Sequence, residues 1–127
     1  MSRVFIIDDD PIHQRIAQIM IAKHHIYDDF VSYTEAEKAI DFLTQNAASA
    51  ELLPDVILLD LNMPVMDGWD FLDAFEKIVN DLNKEVRIFI VTSSVDDKDK
   101  QRSQDFSTVK GFISKPLSPE VINTTKS

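Results

Sequence analysis

The chain has 127 residues, of which 44% are hydrophobic and 28% charged, so it is long enough and apolar enough to form one domain with a buried core. It contains no cysteine, which excludes disulfides, thiolate metal sites and cysteine nucleophiles, and its two glycines, Gly68 and Gly111, are too far apart to form a glycine-rich phosphate-binding loop. Thirteen Lys and Arg against twenty-two Asp and Glu give a net charge of −9, which argues against direct binding to nucleic acid.

The longest apolar runs, at residues 56–59 and 88–91, are too short to cross a bilayer. Three consecutive acids, Asp8, Asp9 and Asp10, interrupt the apolar N-terminal segment and exclude the core of a signal peptide. We therefore expect a single cytoplasmic domain over residues 1–127, with no membrane contact.

Short apolar segments alternate with longer amphipathic segments along the whole chain. The predicted strands cover residues 4–7, 30–33, 56–59, 86–92 and 109–113. The predicted helices cover residues 11–23, a segment opened by a capping box of Thr34 and Glu37, residues 69–78, residues 97–106, and a short last helix capped by Ser118. Five strand–helix pairs in succession indicate an α/β fold with a parallel sheet and right-handed crossovers.

Three of these helices carry apolar residues at helical spacing, which is typical of helices that pack on a sheet. In the first helix these residues are Ile12, Ile16, Ile19 and Met20. In the second, the residues predicted to face inward are Ala36, Ala39, Ile40 and Leu43. In the third they are Trp69, Leu72, Phe75 and Ile78 or Val79.

Polar side chains follow four of the predicted strands at their carboxyl ends, where ligands bind in open α/β sheets. Asp8 and Asp9 follow the first strand, Asp60 ends the third, Thr92 ends the fourth, and Lys115 follows the fifth. A single acid after a strand is unremarkable. Three carboxylates, a hydroxyl and an amine after four strands predict a site at this edge of the sheet.

Clustered carboxylates need a compensating charge. Two of them about 4–5 Å apart repel by roughly 3–4 kcal/mol at an effective dielectric of about 20. Mg²⁺ prefers carboxylate, carbonyl and water oxygens, and it leaves a coordination position for a phosphate oxygen. A carboxylate beside such an ion can attack phosphorus and form an acyl phosphate. The lysine would then supply a point charge for the phosphoryl group, and the threonine a hydroxyl donor.

In four motifs the chain resembles the receiver domains of response regulators, the CheY-like module of two-component signalling. The motifs are IIDDDP at residues 6–11, LLDLNMPVMDG at 58–68, VTS at 91–93 and FISKP at 112–116. The resemblance spans almost the whole chain and implies a flavodoxin-like, three-layer (βα)5 fold with the strand order 2-1-3-4-5.

The resemblance also implies the role of each site residue. Asp60 would be the phosphoacceptor, and Mg²⁺, or Mn²⁺ in its place, would be bound by Asp8, Asp9, Asp60 and the backbone carbonyl of Asn62. Thr92 and Lys115 would contact the phosphoryl group. Thr92 would also form a switch with Phe112, which stands where many relatives have tyrosine. Asn62 and Ser94 occupy positions that tune the rate of dephosphorylation in the family.

As implied by the family, the protein would be a switch rather than an enzyme. It would take phosphate from a sensor histidine kinase or a histidine phosphotransfer protein and present a changed α4–β5–α5 surface to a downstream effector. Two alternatives stay open. One is a phosphohydrolase of the haloacid-dehalogenase kind, although that chemistry needs an Asp where this chain has Asn62. The other is a degenerate receiver that serves only as an interaction module.

The three histidines have no spacing that indicates a metal site. His24 and His25 are adjacent and cannot share one face of a helix, and His13 stands alone near the start of the first helix. We therefore expect all three to be surface or helix-end residues rather than metal ligands.

Overall fold

The computed structural model describes residues 2–93 and 96–126. The strands are β1 (Arg3–Ile7), β2 (Asp29–Tyr33), β3 (Val56–Asp60), β4 (Arg87–Thr92) and β5 (Val109–Ser114). The helices are α1 (Pro11–Lys23), α2 (Ala36–Gln45), α3 (Gly68–Ile78), α4 (Asp97–Ser103) and α5 (Pro119–Thr124), with short 3₁₀ turns at Ala50–Leu52 and Val79–Asp81. Among the described residues, no helix has the length and apolar character needed to cross a membrane.

The five strands form one parallel sheet in the order β2-β1-β3-β4-β5, so the predicted fold class and strand order are confirmed. All five residues of β3 are buried, as expected for the central strand of a sheet covered on both faces. One core cluster joins the sheet to α2 and α3, and a second joins the opposite face to α1 and α5. The result is the predicted three-layer arrangement.

The predicted capping box of α2 is wrong. The helix begins at Ala36, so its N-cap is Glu35, and the cap makes no side-chain hydrogen bond. Thr34 therefore lies one residue before the cap, too early for its hydroxyl to accept from the amide at the third helical position. The inward face of α2 is correct in its main members, because Ala36, Ala39 and Leu43 are buried.

The apolar stripe of α1 does not form its buried face. Ile12, Ile16 and Ile19 are 68%, 42% and 52% exposed. The buried residues of the helix are Gln14, Ala17 and Ile21. This rotation places the amide of Gln14, rather than an isoleucine, against the sheet.

The two C-terminal helices are short. α4 ends at Ser103 instead of the predicted 106, because residues 104–106 form tighter turns that bond three residues back and bring the Phe106 ring to 6.1 Å from the ring of Trp69. α5 spans six residues, and its predicted Ser118 cap is confirmed, since the Ser118 hydroxyl accepts from the amide of Val121.

Candidate functional site

The strand ends bring three carboxylates together. Ile6 pairs with Leu58 in the parallel ladder, so Asp8 and Asp60, each two residues further, leave the sheet side by side and on the same face. One carboxylate oxygen from each of Asp8, Asp9 and Asp60 lies within 4.8 Å of the others. Asp8 and Asp60 are 6% exposed, whereas Asp9 is exposed. The predicted convergence of these side chains is confirmed.

Lys115 is the cation of this cluster. Its Nζ atom donates to Asp8 Oδ2 at 3.2 Å and to Asp60 Oδ2 at 3.4 Å. The backbone fixes the start of its side chain, because the Lys115 amide donates to the Thr92 carbonyl at 2.9 Å, beyond the last pair of the β4–β5 ladder. The peptide bond that follows, to Pro116, is cis.

The charges of the cluster do not balance. Lys115 supplies one positive charge against three carboxylates. Burial raises the pKa of the Asp60 carboxyl above its ordinary value; the Asn62 amide and Lys115 oppose the rise, while the neighbouring Asp8 adds to it. Three hard oxygen donors with excess negative charge fit Mg²⁺ or Mn²⁺ well, because a divalent cation would offset the remaining repulsion.

A cavity with mainly apolar walls borders the acidic cluster. The cavity has a volume of about 340 Å³, and its wall includes Asp8, Asp60 and Lys115. The apolar residues of its wall come from four elements and the loop after β5: Ile6, Ile7, Ile16, Ala17, Leu58, Val91, Pro116 and Leu117. The Asp60 carboxyl therefore has apolar side chains on one side, in keeping with the burial that raises its pKa.

The loop from β3 to α3 surrounds the phosphoacceptor candidate. The Asn62 amide donates to Asp60 Oδ1 at 3.1 Å, and the Gly68 amide donates to the Leu61 carbonyl at 3.0 Å. A Cβ atom on Gly68 would lie 2.8 Å from the Asp60 carbonyl oxygen, so this close approach requires glycine. Val65 is 90% exposed and has a φ of 65°, a strained backbone for a β-branched residue. The role of the Asn62 carbonyl as a metal ligand stays a prediction.

The two switch candidates lie on neighbouring strands. Thr92 is buried at the end of β4, and Phe112 is partly buried on β5, where it packs against the core cluster of α2 and α3. Ile90, two residues before Thr92, pairs with Phe112 in the ladder. The sheet thus connects the site to the face that contains Phe112. Ser94 lies outside the described residues.

The buried side chain of Gln14 contacts the ends of β1 and β2, a role that sequence patterns did not predict. Its side-chain Nε2 lies 3.0, 2.9 and 2.8 Å from the carbonyl oxygens of Ile6, Asp8 and Tyr33, so its two N–H bonds are shared among three acceptors. The amide thereby joins the end of β1 to the end of β2 and holds the turn that contains Asp8 and Asp9. Several polar residues occur in this helix, so the local sequence does not distinguish Gln14 from its neighbours.

His13 lies partly exposed at the start of α1, as predicted, but its side chain also borders the acidic cluster, which was not predicted. Its Nδ1 atom is 3.0 Å from Lys115 Nζ and 3.7 Å from Asp8 Oδ2. No spacing argument could find this contact, since 102 residues separate the two side chains. His24 and His25 are exposed at the end of α1, as predicted.

Comparison with known proteins places this geometry in a family. The sequence model described as "Response regulator receiver domain" matches residues 4–125. A two-component response regulator from Oryza sativa subsp. japonica is 28% identical over 92% of this chain and half of its own length. A hybrid signal transduction histidine kinase from Dictyostelium discoideum is 26% identical over 97% of this chain but only 7% of its own length. The chain thus spans half or less of the length of these relatives.

Solved structures agree in fold. A two component response regulator from Cytophaga hutchinsonii superposes with a TM-score of 0.87 at 27% identity, covering 99% of this chain and 94% of its own. Chemotaxis protein CheY4 from Vibrio cholerae superposes with a TM-score of 0.74 at 25% identity, covering 99% and 96%. Given the family match over nearly the whole chain, the shared strand order and the acidic cluster at the strand ends, the chain belongs to the response regulator receiver domain family of two-component signalling.

Proposed function

We propose that the protein is a phosphoacceptor switch in which Asp60 takes phosphate from a sensor histidine kinase or a histidine phosphotransfer protein. The observation that carries this proposal is the three-carboxylate cluster with Lys115 inside it. Backbone amides and Lys115 hold the oxygens of both Asp60 and Asp8, and Asp60 is the one that we assign as nucleophile because it stands at the phosphoacceptor position of the family motif.

The transfer step needs no protein base. A carboxylate oxygen of Asp60 forms a bond to phosphorus while the bond between phosphorus and the donor's imidazole nitrogen breaks, and the electron pair of that bond stays on the imidazole. Lys115 follows the phosphoryl oxygens as a movable charge, and the Thr92 hydroxyl donates to one of them. A bound Mg²⁺ or Mn²⁺, held by Asp8, Asp9, Asp60 and the Asn62 carbonyl, would supply the positive charge that offsets repulsion between the two anions.

The signal passed on to an effector would arise from the switch residues Thr92 and Phe112. When the phosphoryl group binds the Thr92 hydroxyl, the Thr92 side chain moves from the position that it has without phosphate. Phe112, on the neighbouring strand, then turns into the space that the Thr92 side chain leaves. Because Phe112 lies on β5, this change alters the α4–β5–α5 surface that a downstream effector would contact. We expect a single receiver domain over residues 1–127, acting in the cytoplasm as a switch and not as an enzyme.

The partners follow from the chemistry. Relatives of this chain include a response regulator and a hybrid histidine kinase, so a histidine-bound phosphate is the donor class that we propose. The acidic net charge gives no support for direct nucleic-acid binding by this domain.

The test is incubation of the purified chain with Mg²⁺ and acetyl phosphate, followed by intact mass measurement. We expect one phosphate per chain, removable by mild base as an acyl phosphate is. Asp60→Asn should take up none, whereas Asp73→Asn, which removes an exposed acid on α3, should behave like the unchanged protein.

Three results would contradict the proposal. Phosphate uptake by Asp60→Asn would place the modification elsewhere. No uptake by the folded, Mg²⁺-binding chain would indicate a degenerate receiver. Continuous release of phosphate from a phosphomonoester, abolished by Asp60→Asn, would indicate a phosphohydrolase instead.

A further inference from the structure

His13 is placed at the site by the start of α1. Asp10 is the N-cap, its side chain accepts from the Ile12 amide at 2.9 Å, and Pro11 occupies the first helical position. His13 is therefore the third residue of the helix, and its side chain is directed toward Lys115, which follows β5. The imidazole is 43% exposed and forms one side of the entrance to the acidic cluster.

The ammonium group of Lys115 has three N–H bonds and, among the described residues, three side-chain acceptors. The nearest is His13 Nδ1 at 3.0 Å, followed by Asp8 Oδ2 at 3.2 Å and Asp60 Oδ2 at 3.4 Å. A lysine ammonium can only donate, so a hydrogen bond between these two groups requires Nδ1 of His13 to be the acceptor. Asp10 Oδ2, at the start of α1, lies 3.4 Å from the same Nδ1.

The charge of this third acceptor matters. Asp8 and Asp60 attract Lys115 but also repel a phosphoryl group, whereas a neutral imidazole nitrogen binds Lys115 without adding negative charge. We propose that His13 is a positioning residue that holds Lys115 Nζ beside Asp60, ready to receive phosphoryl oxygens. This inference rests on the proposed phosphoacceptor function and assigns to its site a residue outside the acidic cluster.

The test uses three substitutions that separate geometry from charge. His13→Leu keeps most of the side-chain volume but removes the acceptor. His13→Asn keeps a neutral acceptor at the same number of bonds from the backbone as Nδ1. His13→Asp keeps an acceptor at that position but adds a negative charge that faces the incoming phosphate. The measurement is the rate of phosphate uptake from acetyl phosphate at saturating Mg²⁺, with thermal unfolding of each variant as a control for folding.

We expect His13→Leu to lower the rate by about tenfold, because one of three hydrogen bonds to a charged group is lost. His13→Asn should restore the rate to within about threefold of the unchanged protein. His13→Asp should be as slow as His13→Leu or slower, even though Lys115 keeps a third partner. If His13 only stabilised the fold, the phosphorylation rates of the variants would follow their thermal stabilities. In that case His13→Asn and His13→Leu variants of equal stability would have equal rates.

A double-mutant cycle with Lys115→Ala isolates the contact. If His13 acts through Lys115, His13→Leu should have no further effect on the rate once Lys115 is removed. Three results would each overturn the role of His13 while leaving phosphorylation of Asp60 intact. The first is an equal rate for His13→Leu and the unchanged protein, and the second is an equal rate for His13→Leu and His13→Asn. The third is an effect of His13→Leu that is just as large in the Lys115→Ala background. Absence of phosphate uptake by the unchanged protein would overturn the proposed function as well.

Discussion

Asp60→Asn tests whether the acidic cluster is under electrostatic stress in the absence of metal. The substitution removes one charge, keeps the shape of the side chain and keeps an oxygen for the Asn62 amide. At 4.8 Å, the limit of the cluster, two carboxylates repel by about 3.5 kcal/mol at an effective dielectric of about 20. The attraction between Lys115 and Asp60 at 3.4 Å is about 5 kcal/mol on the same scale.

The sign of the net effect follows from the pKa of Asp60. Burial of the Asp60 carboxyl, which is 6% exposed, together with repulsion from Asp8, outweighs the Asn62 hydrogen bond and the attraction to Lys115, and the pKa of Asp60 is accordingly raised. We therefore expect Asp60→Asn to increase the free energy of unfolding by about 1–2 kcal/mol at neutral pH in EDTA.

The pH dependence has a definite direction. A carboxyl whose pKa is raised in the folded state contributes stability that is fully present below its unfolded pKa, about 3.9, and is lost as pH rises through the folded pKa. At neutral pH the unchanged protein has lost this contribution to its stability. The Asp60→Asn variant does not lose it, because asparagine does not ionise. The advantage of Asp60→Asn should therefore shrink as pH falls toward about 4.

The assay is urea unfolding in EDTA at neutral and acidic pH, with Asp73→Asn as the control for the change in net charge. Asp73 is exposed on α3, so its substitution should change stability little at either pH. Lower stability of Asp60→Asn at neutral pH, or an advantage that grows on acidification, would refute the view that repulsion and burial dominate over the Lys115 contact.

Three further predictions concern the surroundings of the cluster. Mg²⁺ should raise the free energy of unfolding by about 2.7 kcal/mol at a hundredfold excess over its Kd, and Asp9→Ala should remove most of this gain; equal gains in thermal scans of both proteins would contradict the metal assignment. Gln14→Leu should destabilise the fold by about 2–4 kcal/mol in urea, because the Ile6 and Asp8 carbonyls lose the Gln14 donor and the Tyr33 carbonyl keeps only the Asp8 amide. A neutral effect would show that these carbonyls bind other donors in the variant. Val65→Asn should raise the unfolding free energy by about 1 kcal/mol, since asparagine tolerates a positive φ at this exposed position, and a loss of stability would show that Val65 makes contacts that offset its strain.

The main errors of the sequence analysis concern polar residues that act over long distances. Apolar periodicity in α1 indicated Ile12, Ile16 and Ile19, yet the helix buries Gln14, whose side-chain amide donates to carbonyls at the ends of β1 and β2. The capping box of α2 failed for a more local reason, since the helix begins one residue later than Thr34 would require. In α1 the apolar pattern is present, but a different face of the helix is buried. In α2 the capping sequence is present, but the helix begins at a different residue.

By itself the sequence determined the succession of strands and helices and the presence of a carboxylate after β1 and at the end of β3. Parallel strands bring their carboxyl ends to one edge, so the meeting of Asp8, Asp9 and Asp60 follows from local segments alone. Only the tertiary structure decided which neighbours surround them. The contact between His13 and Lys115 joins the start of α1 to the end of β5, and its existence depends on how the helix is rotated on the sheet, which hydrophobic spacing does not encode.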